Sequence, residues 1–291
     1  MSAGFRTWLY DKKGAEKRLK IATVAMQCDR DPTANRVKMA DKVESIVQTH
    51  SDVELIVFGE MILGWYNPGG EPDYHRRISE SIPGETTRLL GELARKHGIA
   101  LCFGLSEIDN GTLYNAQVLL NPQGEIQAIH RKWNLKAGER TAGYRPGGSC
   151  VTVTTIKGIR TGLIICSDAS HPRTIKELIK RHPDLILFSL ADDRDEKWFV
   201  AKANARLYDA WVVSANRYGQ ENHYWNGHLV ISDPLGALRR TSLDREQVLV
   251  YEPEFIDDER WLKRMTRQIW VKTPLLVHAL RHWKILLSYY R

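Results

Sequence analysis

No stretch of the 291-residue chain approaches the roughly 20 uninterrupted apolar residues that a membrane span needs. The opening MSAGFRTWLYDKKGAEKRLK lacks the apolar core of a secretory signal, so export is not expected. Cysteine is scarce: Cys28, Cys102, Cys150 and Cys166 are scattered, with no CxxC pair and no disulfide-framework spacing. That pattern predicts free thiols in a reducing cytoplasm. There is no GxSxG elbow, no Walker A loop and no GxGxxG after a strand, which removes three common routes to catalysis or nucleotide binding. His278 and His282 lie one helical turn apart, but HALRH has no HExxH glutamate and no evident third ligand. Neither a metal nor a cofactor is expected.

The longest stretch without an acidic residue is the last one. Between Arg260 and Arg291 there are eight Lys/Arg and no Asp/Glu, and the whole chain carries +7, so the preceding 259 residues are at −1. The basic excess belongs to a tail, and the body has no general attraction to nucleic acid.

What is present is an alternation of strands and helices. LKIATVAMQ and VELIVF read as strands around a helix over about 33–49, and GETTRLLGELARKHG is a helix ending on glycine. IALCFGLSE and LYNAQVLLNPQGEIQAIHRKW follow as strands with a Pro-Gln-Gly turn. GIRTGLIIC, PRTIKELIKRH, DLILFSL, DEKWFVAKANARLYDA and WVVSANR repeat the strand–helix theme, and GHLVISDPLGALRRTS reads as a hairpin. Two such halves predict an α/β fold with two sheets stacked face to face and helices outside, a four-layer α-β-β-α sandwich. The expected division is an N-terminal extension over 1–18, a single body over 19–259 and a basic tail over 260–291.

Three residues able to do chemistry each follow an apolar strand. Glu60 follows ELIVF, Lys132 follows IQAI, and Cys166 closes GLII. Ligands of α/β proteins bind at such strand ends. A carboxylate, an ammonium and a thiol form a coherent set: the cation favours thiolate, the carboxylate accepts the thiol proton, and the cation steadies an oxyanion. Taken singly, each has a bland alternative as loop charge, solvated lysine or core cysteine.

FGEMILGWY, HRKWNL and IICSDASHP, in this order, resemble the nitrilase superfamily of carbon–nitrogen hydrolases. The resemblance runs from about Leu19 to Pro253, through RPGG, KWFVAKANARLYDAWVVSANR and GHLVISDPLG, and implies a nitrilase-like sandwich. It implies Cys166 as nucleophile, Glu60 as general base, Lys132 as the cation that stabilises the intermediate, and Glu139 in KAGERTAGYRPGG as a second glutamate. The Ser167 N–H would complete the oxyanion site. Three positions depart from the family pattern: Gly59 stands where proline is usual, Ser167 where tyrosine or tryptophan is common, and Asp209 at a glutamate position. The absence of Trp after the cysteine points away from nitriles towards a linear amide or N-carbamoyl compound. A nitrilase activity, or an acyltransferase using the same triad, is the alternative. Carbamoylases of the family can carry arginines where this chain has Ala169 and Ser170, so that carboxylate clamp is missing. Trp65, Tyr66, Trp133 and Tyr144 lie beside the motifs as candidates for an aromatic pocket, with packing as the competing role of each.

In the tail, Leu276, Leu280, Trp283, Leu287 and Tyr290 form one apolar helical stripe. The expected occupant of that stripe is a second copy of the chain, in a homodimer or larger homo-oligomer. Contact with a membrane surface is the other reading.

Overall fold

A computed structural model describes residues 16–71, 73–194, 197–240 and 245–256. The tail stripe and the first fifteen residues lie outside these. In chain order the strands are β1 (Glu16–Arg18), β2 (Ile21–Gln27), β3 (Leu55–Val57), β4 (Ala100–Asp109), β5 (Thr112–Leu120), β6 (Ile126–Arg131), β7 (Thr152–Ile156), β8 (Ile159–Ile165), β9 (Leu185–Ser189), β10 (Trp211–Gln220), β11 (Tyr224–Asn226), β12 (Val230–Ser232), β13 (Leu238–Arg240), β14 (Gln247–Tyr251) and β15 (Glu254–Ile256). The helices are α1 (Pro32–Thr49), α2 (Tyr74–Arg77), α3 (Glu85–His97), α4 (Ala137–Thr141), α5 (Pro172–Arg181) and α6 (Lys197–Tyr208).

The hydrogen-bonded strand order β6-β5-β4-β3-β2-β10-β9-β8-β7 is continuous but forms two stacked sheets. The join is β10. Its first half, Trp211–Ala215, runs parallel to β9, and its second half, Asn216–Tyr218, runs parallel to β2. Period-two alternation then sorts side chains into three apolar layers. Ile56, Leu101, Phe103 and Val118 meet Met39, Val43, Leu90 and Ala94 of α1 and α3. Leu55, Val57 and Cys102 meet Leu163, Leu187 and Val213 between the sheets. Ile164, Ile186 and Val212 meet Leu178, Ala201 and Ala205 of α5 and α6. This is the four-layer sandwich expected from the sequence.

The helices start where capping chemistry allows. Asp31 accepts from the Thr33 N–H at 3.0 Å ahead of Pro32, and His171 Nδ1 accepts from the Arg173 N–H at 3.2 Å ahead of Pro172. The Asp-Pro-Leu-Gly turn forms between β12 and β13, with Asp233 N–H donating to Ala237 O and Gly236 at φ +82°. Glu16–Arg18 pairs antiparallel with Glu254–Ile256, so the ends of the described body are tied together. Charged Glu-Lys-Arg carries no apolar period, and only this long-range pairing makes it a strand.

Strands β2, β3, β8, β9 and β10 are mutually parallel, and β6 joins their direction through two antiparallel steps. Their C-terminal ends therefore gather at one edge, with Glu60, Lys132 and Cys166 just beyond β3, β6 and β8. The loop after β3 is clamped there by Arg217 of β10, which is fully buried. Its guanidinium donates to the carbonyls of Glu60 (3.0 Å), Met61 (2.6 Å) and Gly64 (2.6 Å) and pairs with Glu221. Glu221 in turn accepts from the Tyr66 and Asn67 N–H groups at 2.9 and 3.1 Å. Gly104 lets the loop lie on β4, because a Cβ there would meet Gly59 O and Met61 N at 2.7 Å.

Arg217→Met removes the cation from a buried pair and leaves Glu221 uncompensated. Guanidinium-chloride unfolding of this variant is expected to show a loss of about 3–5 kcal/mol, whereas an unchanged midpoint would mean that the clamp does not hold the loop.

Candidate active site

Lys132 is the centre of the site. It is completely buried, directly after β6, and its backbone N–H donates to Asn115 O at 2.8 Å. Its ammonium donates to Glu60 Oε1 at 2.7 Å and lies 3.0 and 2.9 Å from Glu139 Oε1 and Oε2. Asn115 of β5 ties the two acids together, because its amide donates to Glu60 Oε1 and Glu139 Oε1, both at 2.7 Å. The other Glu60 oxygen accepts from the Ala191 N–H at 3.0 Å, just past β9. Glu139 Oε2 also accepts from the Lys136 N–H at 2.8 Å, which caps the short helix α4 that carries Glu139. Every carboxylate oxygen in this cluster is thus satisfied inside the protein.

Burial and the two acids pull in opposite directions on charge. Burial pushes the Glu60 carboxyl upward, the Lys132 charge opposes this, the Glu139 charge adds to it, and the net result lies above the usual carboxylate value. For Lys132, burial favours the neutral amine, but Glu60, Tyr66, Cys166 and Glu139 outweigh it and hold the ammonium protonated. The Tyr66 hydroxyl is pushed well up by burial and by Glu60, so it stays neutral. Cys166 is among the charges felt by Lys132, Tyr66 and Arg194, which places its sulfur in the same electrostatic neighbourhood.

Cys166 begins a 3₁₀ turn, Cys166–Ser170, that immediately follows β8. It is 2% exposed, and its φ of +41° is a left-handed conformation that costs a non-glycine residue about 1–2 kcal/mol. Met61, next to Glu60, has φ +49°. Asp168 makes the cysteine turn possible. Its Oδ1 accepts from the Trp133 and Asn134 N–H groups at 3.1 and 2.8 Å, and its Oδ2 accepts from Ile165 N–H at 3.1 Å and lies 3.0 Å from His130 Nε2. One buried carboxylate therefore fastens the strand end carrying Cys166 to the segment carrying Lys132. Ser167 adds a second tie, because its hydroxyl donates to Asn134 O and its carbonyl accepts from the Asn134 amide at 2.8 Å.

A cavity of about 790 Å³ reaches the cluster at Glu139, and its walls include Tyr66, Tyr144 and Ala191; Glu60, Lys132, Cys166 and Ser167 are not among its lining residues. Tyr66 and Tyr144 are thus where a pocket residue belongs. Trp65 and Trp133 do not line the cavity. Arg30 lies over the Trp65 ring at 4.7 Å, and Arg173 lies over Trp133 at 4.8 Å, so both indoles are used in packing. Gly59 has a steric reason: a Cβ there would stand 2.9 Å from the Asn216 carbonyl carbon and 3.1 Å from Leu190 O.

Asn115, Arg217, His130 and Asp168 escape a reading based on strand ends. Asn115 has one sequence signal, a polar residue inside the apolar strand LYNAQVLL, and Asp168 has another, its two-residue spacing from Cys166. Among the described residues no cluster of His, Cys, Asp and Glu could hold a metal, and no helix is long and apolar enough to cross a membrane.

Comparison with known proteins places the chain in a family and a fold. Residues 20–252 match the carbon–nitrogen hydrolase family. An (R)-stereoselective amidase of Pseudomonas sp. is 30% identical over 67% of this chain and 71% of its own length. A probable nitrilase of Schizosaccharomyces pombe, C965.09, is 25% identical over 80% and 87%. In fold, Saccharomyces cerevisiae Nit3 superposes with a TM-score of 0.74 at 20% identity, covering 87% of this chain and 94% of that one. An amidase from Nesterenkonia sp. AN1 that records Michael addition of acrylamide at its active-site cysteine superposes with a TM-score of 0.69 at 20% identity, covering 85% and 99%. The chain belongs to the carbon–nitrogen hydrolase family of the nitrilase superfamily, as an amidase-like hydrolase acting on carbon–nitrogen bonds.

Proposed function

We propose that the protein hydrolyses a linear amide or N-carbamoyl compound through a thioester on Cys166, with Glu60, Lys132 and Glu139 completing the machinery. The observation that carries this reading is the buried Glu60–Lys132–Glu139 cluster, in which one ammonium serves two carboxylates beside a cysteine held at positive φ.

Glu60 takes the thiol proton as sulfur attacks the carbonyl carbon. Lys132 and the Ser167 N–H stabilise the oxygen that gains charge, and Glu139 holds Lys132 in place. Protonated Glu60 gives its proton to the leaving nitrogen, and ammonia or an amine departs as the thioester forms. Water then attacks the thioester with Glu60 again as base, and the acid and free thiol are released. A single carboxyl acts as base and acid in turn, and the raised Glu60 value suits that double role. Tyr66 and Tyr144 line the substrate's approach. The polar, ionised cluster suits the oxyanion of a tetrahedral amide intermediate, and Ser167 supplies no aromatic wall for a nitrile. The substrate is a small molecule and no cofactor takes part. A homodimer or larger assembly in the cytoplasm is the setting we infer, from the apolar stripe of the tail and the free thiols.

Cys166→Ala and Cys166→Ser are expected to lose about 10⁴-fold or more in kcat while binding substrate. Ammonia release from a panel of short amides and carbamoyl compounds measures this, and turnover by a pure Cys166→Ala protein would reject the thioester. The proton inventory gives a second expectation. Glu60 must be ionised to act as base, and its carboxyl titrates above the ordinary 4.5. kcat/KM should therefore fall as pH drops through a midpoint above 4.5. The Asn115 hydrogen bond lowers the Glu60 value, so Asn115→Ala should move that limb to still higher pH and reduce kcat/KM at neutral pH by about tenfold. A limb at or below 4.5, unmoved in Asn115→Ala, would remove Glu60 from the base role.

A further inference from the structure

Strand β6 turns alternate side chains to opposite sides: Ile129 packs against the outer helical layer, while Ala128 packs between the sheets. Period two therefore sends His130 inward on the side of Ala128. The imidazole is 1% exposed, and both of its nitrogens have partners. Nε2 lies 3.0 Å from Asp168 Oδ2, and Nδ1 lies 3.2 Å from the Thr152 hydroxyl of β7. A carboxylate only accepts, so Nε2 carries the proton that faces Asp168.

Packing does not account for a histidine at this place. A well-packed apolar side chain of similar volume serves the stability of a core as well as a buried ionic partner does. What the histidine adds is direction. Asp168 Oδ2 is also the acceptor of the Ile165 N–H at 3.1 Å, a bond that closes the chain on itself around Cys166. The partners of Oδ1 are the N–H groups of Trp133 and Asn134, in the loop after Lys132. Among the described residues His130 is the only side chain bonded to this carboxylate, and it is the partner that belongs to a strand of the facing sheet. Cys166 meanwhile keeps φ +41°, a conformation that persists where neighbouring contacts over-determine it. Lys132 follows His130 by two residues, so one strand end carries the ammonium and, through Asp168, secures the turn that carries the thiol.

We infer that His130 is a positioning residue for the nucleophile: by holding Asp168 Oδ2 it fixes the turn that presents Cys166 to the Glu60–Lys132 cluster. The imidazole touches no reacting atom and acts through Asp168, while Thr152 steadies the ring from its other nitrogen. The inference rests on the thioester chemistry proposed above for the role of Cys166, and it names a residue outside the cluster on which that chemistry depends.

The test compares side chains of one length. Glutamine places an amide N–H near the position of Nε2, whereas methionine is as long and donates nothing. Alkylation of Cys166 by iodoacetamide at neutral pH, followed by peptide mapping, needs no turnover. It does need the thiol proton to leave towards Glu60, so a displaced sulfur reacts more slowly. His130→Met is expected to slow this alkylation by about tenfold or more, and His130→Gln to keep it within about threefold of the intact protein. Thr152→Val leaves the imidazole in place and removes one bond to it, with an expected loss of about threefold. Rates are compared among proteins that keep the near-ultraviolet circular dichroism of the intact chain; if His130→Met does not fold, Thr152→Val decides with the same sign. In turnover of short amides the same order is expected in kcat, with KM changed by less than about twofold. Alkylation no slower in the folded variants, or slowed equally by methionine and glutamine, would overturn the positioning role while leaving amide hydrolysis standing. Alkylation that follows His130 in a protein that hydrolyses no amide would keep the positioning role and remove the hydrolytic reading.

Discussion

The structure depends on one buried charge. Lys132 sits where water does not reach, and an unpaired ammonium there would cost several kcal/mol. Glu60 and Glu139 compensate it, but two carboxylates over-compensate one cation, and the resulting tension tunes Glu60. In the mechanism proposed above, a proton moving from the Cys166 thiol to Glu60 exchanges one buried anion for another. That transfer would leave the net charge of the buried cluster unchanged, so it would create no new charge in a low-dielectric site.

Holding that cluster requires parts of the chain that are remote in sequence to stop at one edge of the sandwich. The parallel direction of β3, β8 and β9, and of β6 through two antiparallel steps, brings their C-terminal ends together. Two buried ionic groups then fasten the loops. Arg217 grips the carbonyls after β3, and Asp168 links the turn after β8 to the segment after β6. Strain accompanies this precision, since Met61 and Cys166 both lie at positive φ. Such residues persist only where surrounding contacts over-determine them.

The layering and the strand-end residues were legible in the sequence, because apolar periodicity and the switch to polar residues where an apolar run ends are local signals. Glu60, Lys132 and Cys166 could be picked out together for that reason. The roles of Arg217 and Glu221 could not, since both meet the loop after β3 from more than 150 residues away. For Trp65 and Trp133, proximity to a motif left a pocket role and a packing role open, and arginine stacks on both rings.

The most direct test of the central claim is the intact mass of the protein, acid-quenched during steady-state hydrolysis of a slow amide. The account predicts a population heavier by the substrate less ammonia, mapped by peptide analysis to Cys166 and absent from Cys166→Ser as a thioester. Turnover with no acyl adduct on Cys166 at any quench time, under conditions where deacylation is made slow, would contradict it.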